Sequence, residues 1–428
     1  MVLAKTRTSK RRLWRSPPRT GIQEVGTWQR GGDGDPNDTD AAGMHHDPLS
    51  PSPLPTERGS SPAPRRIAFV VSFWSLGGAP EVAARVANAL RARGHAVEVW
   101  YLYRRTDQPL PQGPCRLLVD RDVSRSLGYA ALPWLLFAAL RRFRPDTVIS
   151  FSPLAHVLGQ TAAMMSGVPR RAAAHRVVCT EYTRVLRVLD RLLGSIGAYT
   201  RIIAVSEAVE QSVAHYPSSY RRKVRVIHNG VSRKLSSVDR REARAAFALP
   251  AEAGLVMAVG RLADQKNYPL LIDAIARLEH VHLVVAGTGQ KRQALERQAA
   301  ALGMAGRLHL LGHLSPDWLS HLFRACDVFA LASLFEGQSN ALLEAMAEGM
   351  PIIASDIPEQ VETLRSTDGR DAAILLPVGD PGAWTQAIGR MLEDADLRAS
   401  LSAAALERSR HFSVERMIDA FEEVACDD

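Results

Sequence analysis

The sequence predicts an α/β protein with two Rossmann-like, doubly wound parallel-sheet domains facing across a cleft. Three observations carry this. Between residues 65 and 412, short apolar runs alternate with helical patterns, the order that parallel strands joined by crossover helices require. Several of the runs end in glycine-bearing turns that open the next helix. The chain has 428 residues, more than one ordinary core accommodates, so two domains are expected. The expected segments are a disordered tail over 1–65, a first domain over 66–245, a second over 246–412 and a terminal helix over 413–428.

The tail is rich in Pro, Gly, Ser, Arg and Asp and lacks apolar periodicity, so it cannot bury enough surface to offset the entropy of ordering. Its basic start, Lys5 to Arg19 with Trp14 among arginines, reads as a solvated tail. Contact with anionic lipid is the competing reading, and translation from Met44 is a third. No long apolar stretch marks it as a signal peptide.

Order begins at Arg65. Ile67 to Phe73 reads as a buried strand, Gly77 and Gly78 as a turn, Val82 to Arg93 as a helix closing at Gly94, and Val97 to Leu102 as the next strand. Leu127 to Leu140 is too short to span a bilayer and contains Pro133, so a core helix is expected. Pro145 to Phe151 reads as a strand that delivers Ser152, Pro153 and His156 to a sheet end, and Arg201 to Val205 as another, with Ser206 capping the helix that follows. In the second half, Leu255 to Gly260 is a strand ending in Arg261, and Lys266 precedes a helix reaching Arg277. Strands at His282 to Ala286 and Leu308 to Gly312 end in glycine turns.

The most informative run lies between Leu331 and Pro351. Asp327 to Ala332 reads as a buried strand. A loop carrying Glu336 follows, Ser339 or Asn340 caps a helix ending at Gly349, and Pro351 opens the next strand. The uncapped N–H groups at that helix start point to the sheet end where phosphates bind. This makes Gly337, Gln338, Ser339, Asn340 and Ala341 candidate donors to a diphosphate. Glu344, one turn further in, suits the vicinal hydroxyls of a ribose, and Glu336 faces whatever the diphosphate carries. Arg261 and Lys266 emerge from a neighbouring sheet end and reach the same diphosphate, Arg as a fork and Lys as a point charge.

This run resembles the Glu-x7-Glu signature of retaining glycosyltransferases with two Rossmann-like domains, the GT-B arrangement, in particular glycosyltransferase family 4, also described as glycosyl transferases group 1. Val-Gly-Arg-Leu-x-x-Gln-Lys-Asn at 259–267, Gly-Gly-Ala-Pro-Glu at 77–81 and Val224 to Val231 resemble family segments too, and the resemblance covers essentially everything after residue 65. It implies that Arg261 and Lys266 hold the donor phosphates and that the Gly77-Gly78 loop faces them across the cleft. By the same resemblance the backbone at His313 and Leu314 contacts the nucleobase, and a histidine in the first domain lines the reaction centre. His156 is the candidate for that histidine, with His175 and Arg176 competing. The terminal helix is expected to cross back to the first domain.

The implied activity is retaining transfer of a sugar from a nucleotide-diphosphate donor to the hydroxyl of a saccharide or lipid-linked acceptor, in polysaccharide, glycolipid or other glycoconjugate synthesis. Glu336, His156, Arg261 and Lys266 are the expected catalytic residues. An epimerase or glycosyl phosphorylase on the same scaffold is the alternative. No Asp-x-Asp motif stands in a convincing setting, so neither a metal nor a cofactor is expected, the nucleotide-sugar being a co-substrate. Four widely spaced cysteines suggest a reducing, cytoplasmic setting. The net charge of +8 allows peripheral contact with an anionic membrane at its inner face. A nucleic-acid partner is not expected, because the excess charge is not organised with aromatics into a stripe.

Overall fold

The computed structural model describes residues 63–427 apart from 76, 107, 112, 121–129, 234–235 and 366–370. The readings made for Lys5 to Arg19 and for Met44 lie outside the described residues.

The first sheet has seven parallel strands: β1 (Arg66–Trp74), β2 (Ala96–Arg104), β3 (Cys115–Val119), β4 (Thr147–Ser150), β5 (Arg170–His175), β6 (Arg201–Ala204) and β7 (Val224–Val226), in the order β3-β2-β1-β4-β5-β6-β7. Its crossovers carry α1 (Ala79–Ala92), α2 (Leu132–Phe143), α3 (Pro153–Met165), α4 (Arg184–Ser195), α5 (Glu207–Gln211) and α6 (Ser218–Arg221). After α7 (Arg240–Ala246) come β8 (Gly254–Val259), α8 (Tyr268–Ala276), β9 (Val281–Ala286), α9 (Arg292–Ala301), β10 (Leu308–Gly312), α10 (Pro316–Ala325) and β11 (Val328–Leu331). The chain ends with α11 (Asn340–Ala347), β12 (Ile352–Ser355), α12 (Pro358–Leu364), β13 (Ile374–Leu376), α13 (Pro381–Glu393), α14 (Ala395–Ser409) and α15 (Val414–Cys426). The six strands of the second sheet run in the order β10-β9-β8-β11-β12-β13.

Each sheet reverses its winding beside its first strand, at β1/β4 and at β8/β11. A crevice opens at such a reversal outside the carboxyl ends of the strands. The loops after these four strands carry Gly77-Gly78, Ser152, Arg261 and Glu336.

Strands covered on both faces read as continuous apolar runs, and β1 shows how both faces are used. Ile67, Phe69 and Val71 face one core with α1 and α15, whereas Ala68 and Val70 face another with Leu136 of α2 and Ala163 of α3. Phe421 of α15 stacks on Phe151 at 5.8 Å. Arg93 pairs with Asp419 at 2.5 Å and also with Glu422, which His95 meets at 2.9 Å. The terminal helix is thus built into the core of the first sheet.

Two expected boundaries shift, for local reasons. Proline needs no N–H donor in the first turn of a helix. Pro133 sits in the opening turn of α2, which begins at Leu132, the expected start at Leu127 lying outside the described residues, and Pro80 likewise opens α1, which begins at Ala79 behind the N-cap Gly78 and not at Val82. The join expected at 245/246 falls at the end of α7. Ala243 of α7 is buried in the core of the second sheet with Leu322 and Phe323 of α10, so the change of core precedes Asp239, the N-cap of α7.

Candidate active site

The Glu336 loop leaves β11 and turns into α11. Ser355 donates its hydroxyl to the Ser333 carbonyl at 2.6 Å, anchoring the start of the loop. Ser339 is the N-cap, its Oγ accepting the Leu342 N–H at 3.4 Å. A helix start leaves its first N–H groups without intrahelical acceptors, here those of Asn340 and Ala341. Glu344, half-buried, lies one turn in, above Asn340. Gly349 closes the helix at φ 68°, a conformation that costs glycine nothing.

Glu336 is only 7% exposed. Its Oε1 accepts from Lys266 Nζ at 2.6 Å and from Ser333 Oγ at 2.7 Å, while Gln265 Nε2 reaches Oε2 at 3.4 Å and the Phe335 carbonyl at 3.0 Å. The space that Lys266 occupies depends on Gly260, with φ 149°: a Cβ there would stand 2.6 Å from Lys266 Cε. Arg261 is exposed, its Nη2 3.3 Å from Gln265 Oε1. Behind the loop lies a second buried carboxyl, Glu359, raised above the usual range by burial and further by the charge of Glu336. A cation and a carboxylate thus stand in contact where β8 and β11 end side by side.

Residues of the first sheet clamp this loop. A Cβ on Gly337 would lie 1.9 Å from the Arg176 carbonyl oxygen, so only glycine fits there. Ser206 donates to the Gly337 carbonyl at 2.8 Å. The Asn229 N–H donates to Gln338 Oε1 at 2.6 Å, and its Nδ2 to the Gln338 carbonyl at 3.3 Å and to Asn340 Oδ1 at 2.9 Å. Arg176 donates to Asn229 Oδ1, and burial lowers its guanidinium to about 10. Further along, Glu362 of α12 accepts the N–H groups of Glu207 at 2.7 Å and Ala208 at 2.9 Å and pairs with His228 at 2.9 Å.

The structure therefore brings Arg261, Lys266, Glu336 and the Gly337 to Ala341 segment together, with Glu344 on the same helix. Gly77 and Gly78, at φ 93° and 56°, open the start of α1 with no atom within 4 Å of where a Cβ would be. His313 is exposed beside half-buried Leu314, which packs on the core containing Leu322 and Phe323.

His156 is placed differently from the expectation of a pocket-lining residue. It is fully buried, with Nδ1 2.8 Å from Ser150 Oγ and its ring 4.8 Å from that of His175. Burial holds it well below the usual histidine range. His175 is buried too, between the hydroxyls of Tyr182 at 2.7 Å and Tyr220 at 3.0 Å. Cys179 and Asp190 approach it, making a group of metal-ligand type, but Asp190 accepts from Tyr199 at 3.2 Å and Tyr220 at 2.7 Å. Its oxygens are occupied by hydroxyls.

Sequence reasoning left Ser333, Gln265, Asn229 and Glu362 without roles, and gave Ser206 only the cap of α5, which it does supply, and not its bond to the Gly337 loop. Asn229 stands in the Ile-His-Asn-Gly segment, where a polar pair directly after an apolar strand is the available signal. No spacing rule connects it to Gln338, 109 residues away.

Two family models match the chain. The one described as Glycosyltransferase Family 4 matches residues 76–235, and the one described as Glycosyl transferases group 1 matches 239–408. The lipopolysaccharide core biosynthesis glycosyltransferase LpsE of Rhizobium meliloti is 28% identical over 358 residues, 82% of this chain and 96% of that protein. A D-inositol 3-phosphate glycosyltransferase of Mycolicibacterium smegmatis is 30% identical over 226 residues, 51% of each chain. Among solved structures, Anabaena HepE in complex with UDP and glucose superposes with a TM-score of 0.73 at 20% identity, covering 84% of this chain and 98% of that one. WaaG, a glycosyltransferase involved in lipopolysaccharide biosynthesis, gives 0.69 at 16% identity, covering 85% and 100%. At these identities the structural likeness establishes the two-domain fold.

Proposed function

We propose that this chain, which belongs to glycosyltransferase family 4 and the group 1 glycosyltransferases and is therefore a sugar transferase of GT-B fold, moves a sugar from a nucleotide-diphosphate donor to an acceptor hydroxyl with retention of anomeric configuration. The observation that carries the reading is the contact of Lys266 Nζ with Glu336 Oε1 at 2.6 Å, close to the start of α11 and to exposed Arg261. Breaking the bond between the anomeric carbon and the diphosphate puts negative charge on the leaving group and positive charge on the sugar. Lys266, Arg261 and the helix start stabilise the first, and Glu336 the second, in a site where fixed groups need little reorganisation.

Within this scheme the two carboxylate oxygens of Glu336 have separate tasks. Oε1 is held by Lys266 and Ser333, whereas Oε2 has, among the described residues, only the long contact from Gln265 and is the oxygen that addresses a sugar hydroxyl. Glu344 takes the ribose hydroxyls, and Leu314 with the backbone beside it flanks the base. The departing phosphate oxygen removes the acceptor proton on the face it leaves. Charge on the leaving group is met by side chains and helix N–H groups in place of a metal ion. The names of LpsE and WaaG support a saccharide acceptor of the lipopolysaccharide type, and the UDP complexes of HepE support a nucleoside diphosphate donor.

The test is incubation of the full-length protein with UDP-, GDP- and ADP-hexoses and a saccharide acceptor, following nucleoside diphosphate release and the anomeric signal of the product by NMR, with and without EDTA. One donor should release diphosphate and give a product of unchanged anomeric configuration, with turnover largely intact in EDTA. Isomerised donor without release would indicate an epimerase, phosphate-dependent cleavage a phosphorylase. An inverted product would overturn the retaining mechanism, and activity lost to EDTA and restored by magnesium would overturn the metal-free site.

A further inference from the structure

Eleven large apolar side chains are strongly exposed among the described residues, and eight of them lie on or directly after three successive helices of the first domain: Trp134 and Leu135 on α2, Met164 and Met165 on α3, and Val185, Val188, Leu192 and Ile196 along α4. These helices are neighbours, α3 packing against both α2 and α4. On α4 the spacing of three, four and four residues draws the four side chains into one stripe, each between 52% and 68% exposed. Leu193 of the same helix packs instead on the core that holds Tyr199 and Tyr220, so the exposed stripe is additional to the face that packs.

Charge decides what this face meets. At about 100° per residue, Arg184, Arg187 and Arg191 fall together on the flank of the stripe. Arg184 and Arg191 are exposed, and Arg187 is half-buried. The only acid on α4, Asp190, is fully buried, and α2 and α3 carry no acid at all, while α2 ends in exposed Arg141 and Arg142. A second copy docking through this face would set arginine rows against each other with no acid on these helices to pair with. An anionic bilayer offers what both halves of the face need: acyl chains below the headgroups for the stripe and phosphates level with the arginines. No helix among the described residues is long and apolar enough to cross a membrane, so the contact lies in the interface plane.

We propose that the α2–α3–α4 face of the first domain docks on an anionic lipid bilayer, with α4 lying in the headgroup layer. The docking is independent of the chemistry assigned to the cleft. One consequence does rest on the transferase reading: α4 begins eight residues after Arg176, whose carbonyl abuts the Glu336 loop, so a lipid-carried acceptor would reach the site from this side.

The experiment is co-sedimentation of the full-length protein with vesicles of phosphatidylglycerol and phosphatidylcholine, or of phosphatidylcholine alone. Wild type is compared with the double variant Val188→Asp, Leu192→Asp and with the triple variant Arg184→Gln, Arg187→Gln, Arg191→Gln. The substituted side chains are exposed or at the rim, so melting temperatures should match wild type, and transfer to a soluble acceptor should be unchanged. Partitioning onto anionic vesicles should fall by about tenfold or more in each variant, and high salt should remove the difference between wild type and the arginine variant. All proteins keep residues 1–62, so binding that both variants retain in full would assign lipid contact elsewhere and overturn the proposal. So would equal binding of wild type to neutral and anionic vesicles, or a wild-type dimer that the aspartate variant dissociates without any change in vesicle binding.

Discussion

Gly337 lies so close to Arg176 that a Cβ on the glycine would stand 1.9 Å from the arginine's carbonyl oxygen. The loop that carries Glu336 is thereby pressed against the end of β5 in the other sheet, and the hydrogen bond from Ser206 to the Gly337 carbonyl holds the same contact from the side. Gly337→Ala has no flexible neighbour to displace. It should push the two sheets apart at this point, cost about 1–3 kcal/mol of stability as overpacking does, and lower turnover by at least about tenfold by misplacing Glu336. Thermal unfolding and steady-state kinetics check both effects. An alanine variant with wild-type melting and turnover would show that the loop is not held here.

The two cations should separate cleanly. Arg261 is exposed, so Arg261→Ala should leave stability unchanged and raise the barrier by about 2–4 kcal/mol, the usual cost of removing one group that stabilises developing charge. The side chain of Lys266 is 12% exposed and that of its partner Glu336 9%. Lys266→Ala should therefore lower turnover and also destabilise the fold by about 2–3 kcal/mol, below the ~3–5 kcal/mol of a fully buried pair. Kinetics with denaturant titration tests this, and stability loss in Arg261→Ala but not in Lys266→Ala would reverse the assignment.

Glu336 and Glu344 should divide between kcat and KM. A ribose contact is similar in ground and transition states, so Glu344→Ala should raise the KM for donor with little change in kcat. Glu336→Gln keeps the shape but removes the charge facing the anomeric carbon, and should lower kcat with little change in KM. Initial rates over a range of donor concentrations decide the matter, and exchanged effects would exchange the roles.

Stability should fall on mild acidification. Burial lowers the pKa of both His156 and His175 in the folded protein. The unfolded chain, with histidines near 6.5, then binds more protons than the folded one below that pH. The contribution is full above about pH 6.5 and is lost as the pH falls toward the folded values, by up to ~1.4 kcal/mol per imidazole for each pH unit. Melting temperatures between pH 7.5 and 5 should decline, and His156→Gln should flatten the decline while leaving turnover measurable. A slope identical in wild type and variant would mean that His156 exchanges protons freely in the folded state.

Much of this architecture was legible in the chain because its causes are local. Apolar runs such as Leu255 to Val259 announce strands buried on both faces. Ser339 and Gly349 bracket α11 through interactions that span a single turn. Spacing alone puts Glu344 one turn inside a helix whose start follows Glu336, and the phrase around Arg261 and Lys266 places both at a strand end. What the sequence could not determine depends on which surfaces meet. Lys266 and Glu336 are 70 residues apart and join only because β8 and β11 are neighbours in the second sheet. Asn229 grips Gln338, and Gly337 meets Arg176, only because the two sheets dock, and no periodicity in either segment encodes its partner. His156 is the sharpest case. Its position just after a strand was readable, but whether that end opens to a cleft or closes into a core is set by packing against Ser150, His175 and Tyr182, and burial of a polar ring is a property of the assembled fold rather than of its local sequence.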